Sequence, residues 1–217
     1  MDILARLDET RQATNVLEHP FYQRWSAGGL SSAELACYAG EYRHAVVALA
    51  HASTLAAEQA GEEHAEGLRR HAEEETAHVG LWEQFAEAAG AAPSSAAEPM
   101  LAETATCVEA WTAGEDLLER LAVLYVIEAG QPEISTTKLE GLGAHYGYGA
   151  EGPATEYFTV HELRDLEHAR QAGELIVELI GRSEDPQRQA ERMVRRADEA
   201  LRGNWQLLDG VEARRGL

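Results

Sequence analysis

His161, Asp165 and His168 lie in one short run at positions i, i+4 and i+7. On an α-helix, at about 100° per residue, all three fall within about 60° of arc. Three metal-binding side chains then share one face over two turns. A second run, His71-Ala-Glu-Glu-Glu-Thr-Ala-His78, carries the spacing Glu75-x-x-His78 used by carboxylate-bridged di-iron bundles. Glu74 with His78, at i and i+4, is an equally good geometric pair. An acidic run of this kind also fits a charged, exposed face. Glu128 ends the apolar stretch Leu121-Ala-Val-Leu-Tyr-Val-Ile-Glu128. A buried ionised carboxylate is costly unless paired or metal-bound, so Glu128 is the acid least expected to be decorative. Glu41 has a similar apolar surround but a cationic neighbour, Arg43. It reads equally as a metal ligand and as an ion-pair partner of an arginine. Oxygen and imidazole donors without thiolate suit iron or manganese better than structural zinc. Two such ions could hold O2 between them, so the chemistry these residues point to is oxygen activation.

Helices must position these groups. Residues 2–17 read as a first helix, stopped near His19-Pro20, and Gly28-Gly29 make a turn. Ser31 and Glu34 form a capping-box pattern that opens a helix to about residue 60. Further helices are expected over 62–89, ended by Gly90, and over 100–112, 115–129, 133–145, 154–181 and 186–213. Ala91 to Pro99 reads as a small-residue loop, and Gly130-Gln131-Pro132 as a break. No linker is long enough to divide the chain, and no internal repeat is evident. The expectation is one all-α domain over 1–217, a bundle of roughly seven helices.

Composition narrows the function. The 217 residues include 38 acidic and 18 basic side chains, a formal net charge of −20. Nucleic acid and anionic membranes need clustered cations, so neither is an expected partner. Cys37 and Cys107 fit no metal or redox pattern and read as buried reduced thiols. No apolar run approaches the roughly 20 residues of a membrane span, and the start of the chain shows no signal peptide. A cytoplasmic location follows as an expectation.

An ordered set of stretches resembles a known family. The set runs from Leu17-Glu-His-Pro-Phe-Tyr22-Gln-Arg-Trp25 and Gly29-Leu30 through Leu35 to Tyr42. It continues in His78-Val-Gly-Leu-Trp82-Glu-Gln-Phe85 and Leu124-Tyr-Val-Ile-Glu128. It ends in Pro132 to Lys138, Gly141-Leu-Gly-Ala-His-Tyr-Gly147 and Tyr157-Phe-Thr-Val-His161 through His168. Over about residues 15 to 175 the chain resembles the haem-oxygenase-like dimetal oxidases. Within them it is most similar to the group of the Chlamydia protein associating with death domains (CADD) and bacterial 4-aminobenzoate synthases. TenA and PqqC are more distant members of the same fold.

The resemblance implies a seven-helix bundle, often dimeric, so a homodimer is expected. It implies a metal set of one acid of the 73–75 run (Glu74 or Glu75), His78, Glu128, His161, Asp165 and His168. Glu41 falls where relatives carry an acid that contacts metal or substrate. Two Fe, or Fe with Mn, would bind there with Glu128 as the bridge, O2 as co-substrate and an external reductant. CADD-like enzymes make 4-aminobenzoate from one of their own tyrosines with a lysine as amine source. Tyr22 and Lys138 match those two positions and are the expected catalytic residues.

Lys138 is also the only lysine here, every other basic residue being arginine. An amine can be deprotonated and react, whereas a guanidinium practically cannot. Two positions beside the site depart from the family pattern: Ile127 replaces a tyrosine and Gly130 a glutamine. They bear on the substrate more than on the metal chemistry. The alternative activity is oxidation of an external small molecule, such as an amino acid or fatty acid. A non-catalytic interaction module is the lesser alternative, since a binding surface has no need of six ordered ligands. The extra histidines His44, His51 and His71 read as substrate contacts or as solvated helix-face residues.

Overall fold

The structure, a computed structural model, describes residues 2–91 and 101–215. Among the described residues there are nine α-helices, one 3₁₀ turn and no strand. They are α1 (Ile3–Ala13), the 3₁₀ turn (Val16–Glu18), α2 (Pro20–Ser26), α3 (Ser32–Gln59), α4 (Glu62–Ala88), α5 (Ala102–Thr112), α6 (Leu117–Glu128), α7 (Gln131–His145), α8 (Glu156–Ile180) and α9 (Pro186–Glu212). The all-α bundle read from the sequence is the architecture observed. The loop expected before residue 100 lies, beyond Ala91, outside the described residues.

Most boundaries follow from local chemistry. At the start of α3 the Ser31 hydroxyl accepts from the Glu34 N–H, and the Glu34 carboxylate accepts from the Ser31 N–H at 2.8 Å. Gly90, at φ +80°, ends α4 in a conformation that disfavours any side chain. The Gly130-Gln131-Pro132 break is the start of α7, with Pro in its first turn. The start of the chain differs from the sequence reading. The first helix, expected over 2–17, ends at Ala13 and is followed by the separate 3₁₀ turn. His19-Pro20 does not stop that helix but starts α2: Pro20 needs no N–H partner there, and His19 Nδ1 accepts from the Phe21 N–H at 3.0 Å. This short helix brings the eight helical segments read from the sequence to nine, where the resemblance implies seven, and it is the helix that carries Tyr22.

The core stripes fix how the helices face one another. On α4 the buried positions include Leu68, Ala72, Glu75, His78, Trp82 and Phe85. On α8 they include Phe158, His161, Asp165, His168, Ala172 and Ile176. Both stripes recur every three to four residues, so the ionisable groups occupy core positions rather than a solvated face. Around them lies an aromatic cluster of Phe21, Tyr22, Trp25, Tyr38, Tyr42, Trp82, Phe85, Tyr157 and Phe158. Its two indoles are both hydrogen-bonded: Trp82 Nε1 donates to the Ala39 carbonyl at 2.8 Å and Trp25 Nε1 to the Lys138 carbonyl at 3.3 Å. Helix α7 can reach α2 this closely because position 141 is glycine; a Cβ there would stand 2.5 Å from Trp25 Nε1. Both cysteines are free thiols; Cys107 is buried as expected, whereas Cys37 is only partly buried. No helix among the described residues is long and apolar enough to cross a membrane.

Candidate metal centre

Helices α4 and α8 carry the same pattern, histidine, acid, histidine at i, i+4 and i+7: His71-Glu75-His78 and His161-Asp165-His168. They run antiparallel, because the His71 and His168 rings lie 4.4 Å apart while His78 and His161 lie 4.5 Å apart. Two groups of donor atoms result. His71, Glu75, Glu128 and His168 form one, and Glu75, His78 and His161 the other; within each group the atoms lie within 4.8 Å of one another. Glu75 belongs to both. Glu128, the expected bridge, belongs to the first group alone.

The contacts converge without satisfying one another. Glu75 Oε1 accepts from His78 Nδ1 at 3.1 Å, while its Oε2 is 4.0 Å from His161 Nε2. His71 Nε2 is 2.7 Å from Glu128 Oε1, but the approach lacks hydrogen-bond geometry. His168 Nδ1 stands 3.5 Å from Glu75 Oε1 and 3.6 Å from Asp165 Oδ1. As a result, both oxygens of Glu128, both of Asp165, His71 Nε2, His161 Nε2 and His168 Nδ1 are buried with no hydrogen-bond partner. Buried polar atoms are rarely orphaned. Seven orphaned donors of lone pairs, all oxygen or imidazole nitrogen, fit hard-to-borderline divalent cations. His161 is prepared in the usual way for a ligand: its Nδ1–H donates to the Tyr157 carbonyl at 2.7 Å, which leaves Nε2 free to face the cluster.

The electrostatics agree. Burial opposes ionisation of Glu75, but His161 and His78 beside it hold its carboxyl well below the usual range. Burial lifts Asp165 to about 6. For His168 burial works against the charged form, yet Asp165, Glu128, Glu75 and Glu74 together push it up to about 9. A site crowded with negative charge raises its histidines when protons are the only cations available.

Several residues fall elsewhere than the sequence suggested. Of Glu74 and Glu75, only Glu75 enters the cluster. Glu74 lies behind it, accepting from His168 Nε2 at 3.1 Å and from Arg164 at 2.5 Å, and so orients the His168 ring. Glu41 is not brought to the cluster. Its carboxylate accepts from Thr104 Oγ1 at 2.6 Å and from the Leu101 N–H, which spends its charge on the start of α5. Arg43 turns away to pair with Glu83. His71, read as a substrate contact or a solvated side chain, is a member of the cluster. The repeat of the α8 pattern in α4 is the signal that identifies it. His44 is buried on α3 outside the cluster, and His51 is exposed.

Tyr22 and Lys138 adjoin the centre through the aromatic core. Lys138 is 1 % exposed, and its Nζ lies 4.9–5.7 Å from the ring centroids of Tyr22, Tyr38, Tyr42, Trp82 and Phe158. No carboxylate among the described residues pairs with it, and burial lowers its pKa to about 7. Tyr22 and Tyr38 share a hydroxyl contact at 3.4 Å. The cage touches the metal cluster at Trp82, whose ring is 4.9 Å from Tyr157; Tyr157 in turn stacks on His161 at 3.9 Å.

Comparison with other proteins agrees with this chemistry. A family model described as an iron-containing redox enzyme matches residues 42–202. The 4-aminobenzoate synthase of Chlamydia pneumoniae is 31% identical over 212 residues, covering 94% of this chain and 88% of that protein. The protein of the same name from Nitrosomonas europaea is 32% identical over 228 residues, covering 95% and 89%. Among solved structures, a TenA homologue from Pseudomonas syringae pv. tomato has a TM-score of 0.82 at 16% identity, over 97% of this chain and 91% of that one. A domain with a haem-oxygenase-like fold from Shewanella denitrificans has a TM-score of 0.75 at 19% identity, over 97% and 89%. These two likenesses speak to the fold, which is the haem-oxygenase-like bundle expected from the sequence.

Proposed function

The chain belongs to the family of iron-containing redox enzymes, and we propose that it is a dinuclear oxidase that makes 4-aminobenzoate from its own Tyr22, with Lys138 as amine source. The relatives that carry the name 4-aminobenzoate synthase support the product. The single observation that carries the reading is the cage: a buried lysine whose Nζ lies 5.7 Å from the Tyr22 ring, linked to the metal cluster through the rings of Trp82 and Tyr157.

In this reading His71, Glu75, Glu128 and His168 hold one ion, and Glu75, His78 and His161 the other, with Asp165 as a further oxygen donor. The ions are two Fe or Fe with Mn. Bound there with O2 and an external reductant, they supply the oxidising equivalents. The protein's own residues do the rest. The aromatic wall keeps water from the reacting ring. Lys138, with a pKa near 7, is partly a neutral amine at neutral pH and so able to react. Burial keeps the Tyr22 phenol protonated, and the Tyr38 hydroxyl is the partner through which its proton can leave. The resemblance adds a homodimer as the working form, which sedimentation would check.

Intact-protein mass spectrometry before and after Fe(II), reductant and O2 tests the reading, with released small molecules analysed alongside. A mass loss localised to Tyr22 with 4-aminobenzoate in solution is expected. An unchanged Tyr22 in a protein that consumes O2 would refute it and place the substrate outside the chain.

A further inference from the structure

The proposed metal ions have a way in that the mechanism does not use. A cavity of about 280 Å³ is lined by residues of α4, α6 and α8. Its lining grades from solvent to the centre. At one end are Glu63, His64 and Glu178, with side-chain exposures of 66%, 18% and 41%. At the other are His71 and His168, at 10% and 4%. Between them the lining includes Leu68, Leu121 and Leu124. His71 Nε2 and His168 Nδ1, at the inner end, have no hydrogen-bond partner.

The outer residues are themselves a ligand set. One atom from each of Glu63, His64 and Glu178 lies within 4.8 Å of the others. His64 Nε2 is 3.1 Å from Glu178 Oε1 and 3.8 Å from Glu63 Oε2, yet it makes no hydrogen bond. Arg182 bridges the same two carboxylates, at 3.2 Å to Glu63 and 2.7 Å to Glu178.

We propose that Glu63, His64 and Glu178 form an acquisition site for divalent transition-metal ions at the mouth of this cavity, which passes them inward to His71 and His168. Two carboxylates and an imidazole are a donor set for Fe(II), Mn(II) or Co(II). The set is exposed enough to exchange water quickly. Arg182 competes for both carboxylates, so an ion held there is held weakly and can leave. The ion meets its next imidazoles, unpartnered, at the inner end of the same cavity. The proposal rests on the metal-centre reading above.

Co(II) uptake by the full-length, metal-free protein tests it, followed by visible absorption in stopped flow and by final metal content. In the His64→Ala/Glu178→Gln variant, uptake from dilute Co(II) should slow about tenfold, as for loss of local electrostatic focusing, while two ions still bind at the end. Arg182→Gln should load faster than wild type, a gain that misfolding cannot mimic. Wild-type rates in both variants would overturn the acquisition site and leave the metal centre standing. A final content below two ions in the mouth variant would also overturn it, by making these residues part of the centre itself. A wild-type chain that binds no Co(II) would remove the metal-centre reading and the proposal together.

Discussion

Replacing Lys138 by methionine should stabilise the protein, and by an amount that depends on pH in a defined way. Burial moves the Lys138 pKa from its ordinary 10.5 to about 7. Above pH 10.5 the amine is neutral in both the folded and the unfolded chain, so it costs nothing. As pH falls from 10.5 to 7, the unfolded chain takes up a proton that the folded chain refuses. Wild-type stability then drops relative to Lys138→Met by about 1.4 kcal/mol per pH unit. Below pH 7 both states are protonated and the gap levels off at about 5 kcal/mol, the energy equivalent of the whole shift. Methionine has a similar length and no charge, so the aromatic cage can close on it. Urea unfolding of the metal-free wild type and variant at half-unit steps from pH 6 to 10.5 reads the gap directly. The tyrosines and cysteines titrate alike in both proteins and cancel in the difference. A gap that stays constant across this range would refute the argument that Lys138 is held in the core at the expense of its charge.

Three further outcomes follow from the same geometry. Glu75→Gln should abolish binding of both ions by metal analysis, whereas Glu74→Gln should keep two ions with affinity weaker by about 10- to 100-fold, as for loss of an orienting hydrogen bond. Thr104→Val removes the main partner of the buried Glu41 and should destabilise by about 1–3 kcal/mol in urea while leaving metal content unchanged; loss of metal would mean Glu41 belongs to the centre after all. Gly141→Ala would stabilise an ordinary helix, but here its Cβ meets Trp25 Nε1, so a destabilisation of about 1–3 kcal/mol is expected, and a raised unfolding midpoint would contradict the close approach of α2 and α7.

What the sequence reveals about this site depends on whether the partners share a helix. His161, Asp165 and His168 are legible because one helix fixes their mutual angle. The choice between Glu74 and Glu75 is not settled by their distances to His78, since i+3 and i+4 both work. The stripe of Leu68, Ala72 and Trp82 turns position 75 inward and leaves 74 half-buried at its edge. His71 is hidden by its acidic neighbours, although it repeats the α8 pattern in full. Glu41 misleads because a buried acid in an apolar helix needs a partner without saying which; here the partner is a threonine 63 positions away. Pro20 misleads because proline both ends and begins helices. The lysine cage is beyond sequence reasoning of this kind. Its five rings come from α2, α3, α4 and α8 and meet Lys138 of α7 only when the bundle has closed.

The isolation of Lys138 also shapes how this protein meets electrophiles. Its other basic side chains are guanidinium groups, which acylating reagents and aldehydes attack poorly near neutral pH. The surface therefore offers no side-chain amine for acylation, glycation or lysine-directed crosslinking. The one that exists is enclosed by aromatic rings, where a reagent meets it only when the helices part. Its rate of acylation is thus a clock for the breathing of the core, free of any background from surface lysines.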